Sequence, residues 1–134
     1  MKVNITFEEK LYDAFSDKAV VDLDALEQDL STYFSSSKSL RPYYLGKDAP
    51  FERPDNIRDT ELHHIHFYVD TVSCHSTWTQ GSTSDSYIVY TYGYMNEEAY
   101  HVIDIIGNNA HKECRNHSLM RSYKLIAEDF RNKN

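Results

Sequence analysis

Three histidines fall within four residues, His63-His64-Ile65-His66. Alternate side chains of an extended strand share a face, so His64 and His66 would stand about 7 Å apart with Ile65 turned to the other side. Two imidazoles so placed suit a pair of metal ligands or an acid/base pair; as ordinary residues of a strand face they would do neither. A metal site needs further donors, which His101, Cys74, His75 or His111 could supply. The linear spacing matches no metal motif, so no metal and no other cofactor is expected. Metal-free acid/base work is the reading of this cluster carried forward.

A second cluster is His111-Lys112, followed by Arg115, Arg121 and Lys124. Arg121 and Lys124 are three apart and share a helix face. A titratable imidazole beside fixed cations is what phosphate-ester cleavage requires, because the cations stabilise charge on the reacting phosphate while the imidazole moves protons. Taken alone, the same residues also describe a solvated helix start. A third feature is aromatic: Tyr90, Tyr92 and Tyr94 alternate onto one strand face with Ile88, a platform that could stack bases or simply pack a sheet. Cys74 and Cys114 cannot form a disulfide framework, and neither sits in a recognisable nucleophile arrangement.

The elements that must position these groups are legible from periodicity. Residues 2–7 alternate polar and apolar and predict a short strand. Asp22 can cap a helix running to Ser36, with Leu23, Leu26, Leu30, Tyr33 and Phe34 on its apolar stripe. Residues 39–60 hold all three prolines and Gly46 and read as an irregular connector. Strands are expected over 62–69, 87–92 and 99–106, a Ser/Thr-rich loop over 71–86, and a final helix over 118–132 with Leu119, Tyr123, Ile126, Ala127 and Phe130 on one stripe. Strands flanked by helices without strict alternation predict an α+β domain with a small antiparallel sheet and helices packed against it.

The chain has 134 residues, enough for one domain spanning 1–134. Its 14 Lys+Arg stand against 21 Asp+Glu, a formal charge of −7 that excludes a broadly basic nucleic-acid coat. The charge is uneven. Residues 61–108 contain no Lys or Arg, whereas 109–134 hold 6 basic and 3 acidic side chains. A basic tail on an acidic body allows an anionic partner that meets only one edge. No apolar run is long enough to span a membrane, and the first residues lack a signal-peptide core, so a cytoplasmic protein is expected.

Several segments together resemble the YafO family of type II toxin–antitoxin toxins. They include Gly46-Lys47-Asp48-Ala49-Pro50-Phe51, His64-Ile65-His66, Thr83-Ser84-Asp85 running into Tyr87-Ile88-Val89-Tyr90, and Glu97-Glu98-Ala99-Tyr100. His111-Lys112, Arg115 and the closing stretch from Lys124 to Arg131 complete the series. The resemblance covers roughly Leu23 to Arg131. It implies a ribosome-dependent endoribonuclease that cuts translated mRNA and is held inactive by a cognate antitoxin, on a fold akin to the RelE-type toxins. It further implies metal-free cleavage in which the RNA's own 2′-hydroxyl attacks. On that basis His64 or His66 is the expected base, His111 the acid, and Lys112 and Arg115 the groups stabilising the phosphate. Arg121 and Lys124 would hold the flanking backbone and Tyr90 would stack a base or donate to phosphate; acid and base could be exchanged. The family carries a basic residue just ahead of the Thr-Ser-Asp motif, where this chain has Gln80-Gly81-Ser82, which would either weaken phosphate binding or shift it wholly to the C-terminal cations. A toxin-like module that binds its antitoxin without cutting RNA is the alternative.

Overall fold

Helix α2 spans Leu23–Ser35, and its ends show why it forms where it does. The Asp22 carboxylate accepts from the backbone N–H groups of Asp24 (3.1 Å) and Ala25 (3.4 Å) at the first turn. At the other end, Lys38 N–H donates to the Tyr33 carbonyl (2.7 Å) and Ser37 N–H to that of Phe34 (3.1 Å). That pair is a Schellman closure, and Ser37 (φ 55°) takes the left-handed position that glycine usually fills. The predicted stripe is buried in full: Leu23, Leu26, Leu30, Tyr33 and Phe34. Each such side chain contributes roughly 1.5–3 kcal/mol of transfer free energy before the entropy of ordering is subtracted.

The structure is a computed structural model and describes residues 2–14, 22–53, 57, 60–68 and 78–134. Besides α2 it contains strands β1 (Asn4–Phe7), β2 (Leu45–Pro50), β3 (His63–Phe67), β4 (Tyr87–Tyr92) and β5 (Ala99–Ile106), and helices α1 (Glu9–Ala14), α3 (Ala110–Glu113) and α4 (His117–Lys133). The strands form one sheet in the order β1-β5-β4-β3-β2. The α+β class is as expected; the sheet is not purely antiparallel. β1 runs parallel to β5, with Asn4 opposite Ala99 and Phe7 opposite Val102, and the other pairs are antiparallel.

The predicted strands at 87–92 and 99–106 coincide with β4 and β5. The larger surprise lies in residues 39–60, where an irregular connector was expected and β2 was found. Its pattern is broken by Gly46, by a register shift between Leu45 and Asp48, and by Pro50 as its last residue. Those features suit an edge strand, which need not donate along its outer side. Gly46 is needed there: a Cβ would overlap the Ser82 carbonyl oxygen and come within 2.8 Å of the Trp78 ring.

Two cores lie on the two faces. On one, α2 covers Ile5, Phe7, Ile65, Phe67, Ile88 and Tyr90. On the other, α4 places Met120, Tyr123 and Ala127 over Val89 and Ile103. A bulge in β5 allows this, since Val89 faces Asp104 while Tyr90 faces Val102, leaving Ile103 as the extra residue. α4 packs chiefly on β4 and β5. On its side of the sheet, the part made by β3 and β2 is therefore free of that helix, and a cleft opens there.

Candidate active site

Cross-strand register fixes the floor of the cleft. His64 pairs with Val89 and His66 with Tyr87, so both histidines share the α4 side of the sheet, while Ile65 enters the opposite core. Their rings lie 5.4 Å apart between centroids. His64 stacks on Phe51 (4.3 Å, 29°) and leans on Tyr87 (4.7 Å). His66 meets the same tyrosine edge-on (4.8 Å).

The two imidazoles differ in access. His66 is buried, and the Ser84 backbone N–H donates to its Nδ1 (2.8 Å). His64 lines the cleft, about 640 Å³ in volume, together with Lys47, Ala49, Pro50, Phe51, Glu52, Arg53, Tyr87, His111, Cys114 and Arg115. His64 Nδ1 is buried without a partner, a cost of about 1–3 kcal/mol of the kind that native folds retain mainly where a site needs it. Burial, then the neighbouring His66, pushes the His64 imidazole down to about 4; burial also lowers His66. Both are neutral at pH 7, the state a proton acceptor must occupy.

The far rim is α3 and the turn after it. Asp85 pins this rim by accepting from the His111 backbone N–H on its carboxylate (2.8 Å) and from the Ala110 N–H on its carbonyl (3.0 Å). Ser84 and Asp85 thus tie down His66 and the rim that carries His111, which explains the Thr-Ser-Asp motif physically. Arg115 donates to His111 Nε2 (2.9 Å). A nitrogen that accepts from a guanidinium carries no proton, so the His111 proton sits on Nδ1. Burial and Asp104 push the Cys114 thiol up to about 12, which leaves it a poor nucleophile.

His64, His111 and Arg115 line one cleft, with His66 behind them. Other candidates fall elsewhere. Tyr90 is 1% exposed and lies in the α2-side core, its hydroxyl donating to Asp48 (2.8 Å); a ring so enclosed has no face to offer a base. Lys112, Arg121 and Lys124 do not line the cleft, and Lys124 pairs with Glu128 (3.7 Å). Lys47 and Arg53 do line it, and were missed because their segment read as a connector. The cations of the cleft are therefore not confined to the C-terminal segment: Lys47, whose backbone N–H donates to the Ser82 carbonyl (2.8 Å), stands beside the position where the expected cation is missing.

His101, considered as a third metal donor, lies on β5 between Thr6 Oγ1 (2.6 Å) and Glu8 Oε2 (2.7 Å). Cys74 and His75 lie outside the described residues, and among the described residues no three His, Cys, Asp or Glu side chains converge as a metal-holding group. No helix among the described residues is long and apolar enough to cross a membrane.

Fold and cleft together define a small α+β protein with a histidine floor and a cationic rim. The model of the family described as Toxin YafO, type II toxin-antitoxin system, matches residues 31–132, so the chain belongs to that family. Membership implies a cognate antitoxin as partner. No curated protein and no solved structure matches the chain significantly.

Proposed function

We propose that this toxin is a ribosome-dependent endoribonuclease that cuts translated mRNA by metal-independent acid/base chemistry and is inhibited by its antitoxin. The observation that carries the reading is the convergence of His64, held neutral by burial, with His111 and Arg115 on one cleft. The substrate supplies its own nucleophile. As the RNA 2′-oxygen bonds to phosphorus, the P–O5′ bond breaks, leaving a cyclic phosphate and a free 5′-hydroxyl. His64 takes the 2′-hydroxyl proton, and His111, doubly protonated once Arg115 turns from its Nε2 to the phosphate, delivers one to the departing 5′-oxygen. Arg115 stabilises the negative charge on the reacting phosphate. His66 acts behind His64 by holding its ring against Tyr87. Lys112, Arg121 and Lys124 stand outside the cleft and have no role in the chemical step. The ribosome positions the mRNA, so a protein of net charge −7 needs to provide only one cationic rim.

The test is cleavage of an mRNA with and without translating ribosomes, using wild type, His64→Ala and His111→Ala. Each substitution is expected to lower the rate by about 10²–10⁴-fold, the usual contribution of a positioned acid or base. Wild-type protein that leaves translated mRNA intact while still binding its antitoxin would establish the non-cutting module instead. Cleavage of naked RNA at an equal rate would remove the ribosome from the reading.

A further inference from the structure

The cations of this chain divide by what they touch. Lys10 pairs with Asp104 (3.5 Å), Lys38 with Asp48 (2.9 Å) and Lys133 with Asp129 (3.0 Å). Arg41 donates to the carbonyls of Pro42, Tyr43 and Leu45, and Arg131 to that of Tyr92 while lying over its ring. Lys47 and Arg53 are exposed, have no carboxylate partner among the described residues, and both line the cleft. The lining holds three cations, Lys47, Arg53 and Arg115, against one carboxylate, Glu52. The cleft lining thus carries a local excess of cations in a chain with a surplus of acids, whereas Lys2, Lys112 and Arg121, also exposed and without a carboxylate partner among the described residues, do not line it.

The construction of β2 accounts for Lys47. Asp48 turns into the α2-side core, where Tyr33 (3.0 Å), Tyr90 (2.8 Å) and Lys38 hold its carboxylate. Its neighbours then face the other way: Ala49 stands opposite His64 and Lys47 reaches the cleft. The Lys47–Ser82 hydrogen bond fixes this edge against the loop beside it. Arg53 follows Phe51, whose ring is stacked on His64.

We propose that Lys47 and Arg53 form a second phosphate-gripping wall, which holds the backbone of single-stranded RNA on the β2 side of His64 while Arg115 holds it on the α3 side. This rests on the RNA-cleaving reading of the same cleft. Gripped from both sides, the strand cannot pivot about Arg115, and the 2′-hydroxyl is presented to His64. Lys47 and Arg53 are positioning residues; neither moves a proton.

The test pairs two measurements on wild type, the Lys47→Met/Arg53→Met double variant, the Lys47→Arg and Arg53→Lys variants, and His64→Ala. One is the rate of mRNA cleavage against toxin concentration in a reconstituted translation reaction. The other is binding of a 2′-O-methyl RNA oligonucleotide, which cannot be cut, across a salt series, with thermal melts confirming that each variant folds. The double variant should need about tenfold more toxin for half-maximal cleavage, with a far smaller loss of maximal rate, and its binding should lose about 1.4 from the log–log salt slope. The two charge-conserving variants should stay close to wild type. His64→Ala should do the reverse, losing rate and keeping affinity. A double variant with wild-type half-saturation and slope overturns the wall while leaving the nuclease reading intact, provided wild type cuts. Wild type that binds the oligonucleotide through Lys47 and Arg53 but cuts nothing sinks the nuclease reading and keeps the wall. Wild type that neither binds nor cuts sinks both.

Discussion

His64 and Tyr90 show how far burial, rather than residue type, decides a role. In the unfolded chain His64 takes up its proton near 6.5; in the folded protein burial delays this to about 4. Between those values the unfolded state binds more protons, so stability falls as pH drops through that window and gains nothing further from this group above it. Allowing for the ring's partial exposure, the loss should be on the order of 2 kcal/mol. Urea melts at pH 7, 6, 5 and 4 measure it, and His64→Gln should flatten the slope; a variant as acid-sensitive as wild type would show that another group is responsible. Tyr90 presents the converse. Its hydroxyl serves a buried carboxylate, so Tyr90→Phe should cost about 1–2 kcal/mol of stability and leave oligonucleotide affinity at the wild-type level. A loss of affinity without a loss of stability would return the residue to the RNA surface. From sequence both residues read as members of strand faces. Alternation told correctly which residues share a face, but not which face a helix would cover.

At the scale of elements, strong periodicity was legible and irregular backbone was not. The α2 stripe, its Asp22 cap, and strands β4 and β5 could all be read because spacing alone defines them. β2 could not, since an edge strand with a register shift, a glycine and a terminal proline has no alternation to detect. That loss removed Lys47 and Arg53 from view and left only half of the cleft wall legible. α1 and α3 were missed because six and four residues are too few to show a helical period. The end of α2 offers a test of the local physics. Ser37 occupies a left-handed position at a cost of about 1 kcal/mol that glycine would not incur. Ser37→Gly should therefore raise the melting temperature by several degrees. An unchanged or lower value would mean that the Ser37 side chain contributes something the backbone geometry does not reveal.

For the whole molecule, the distribution of charge matters more than its sum. Several of the acids hold the fold: Asp48, Asp104, Asp29 and Glu8 all accept from tyrosine, lysine or histidine side chains. Three of the cations left over, Lys47, Arg53 and Arg115, line the cleft with His64 and His111. Topology adds a further consequence. β1 precedes the other four strands, yet its partner β5 lies about ninety residues later, as the Thr6–His101 contact shows with a separation of 95 positions. The other sheet pairings join strands that follow one another in the chain and can form in order as the polypeptide emerges. β1 can therefore pair only after β5 has emerged, later than the strands between them can pair with one another. The cleft draws nothing from β1, so its walls can be assembled before that strand docks.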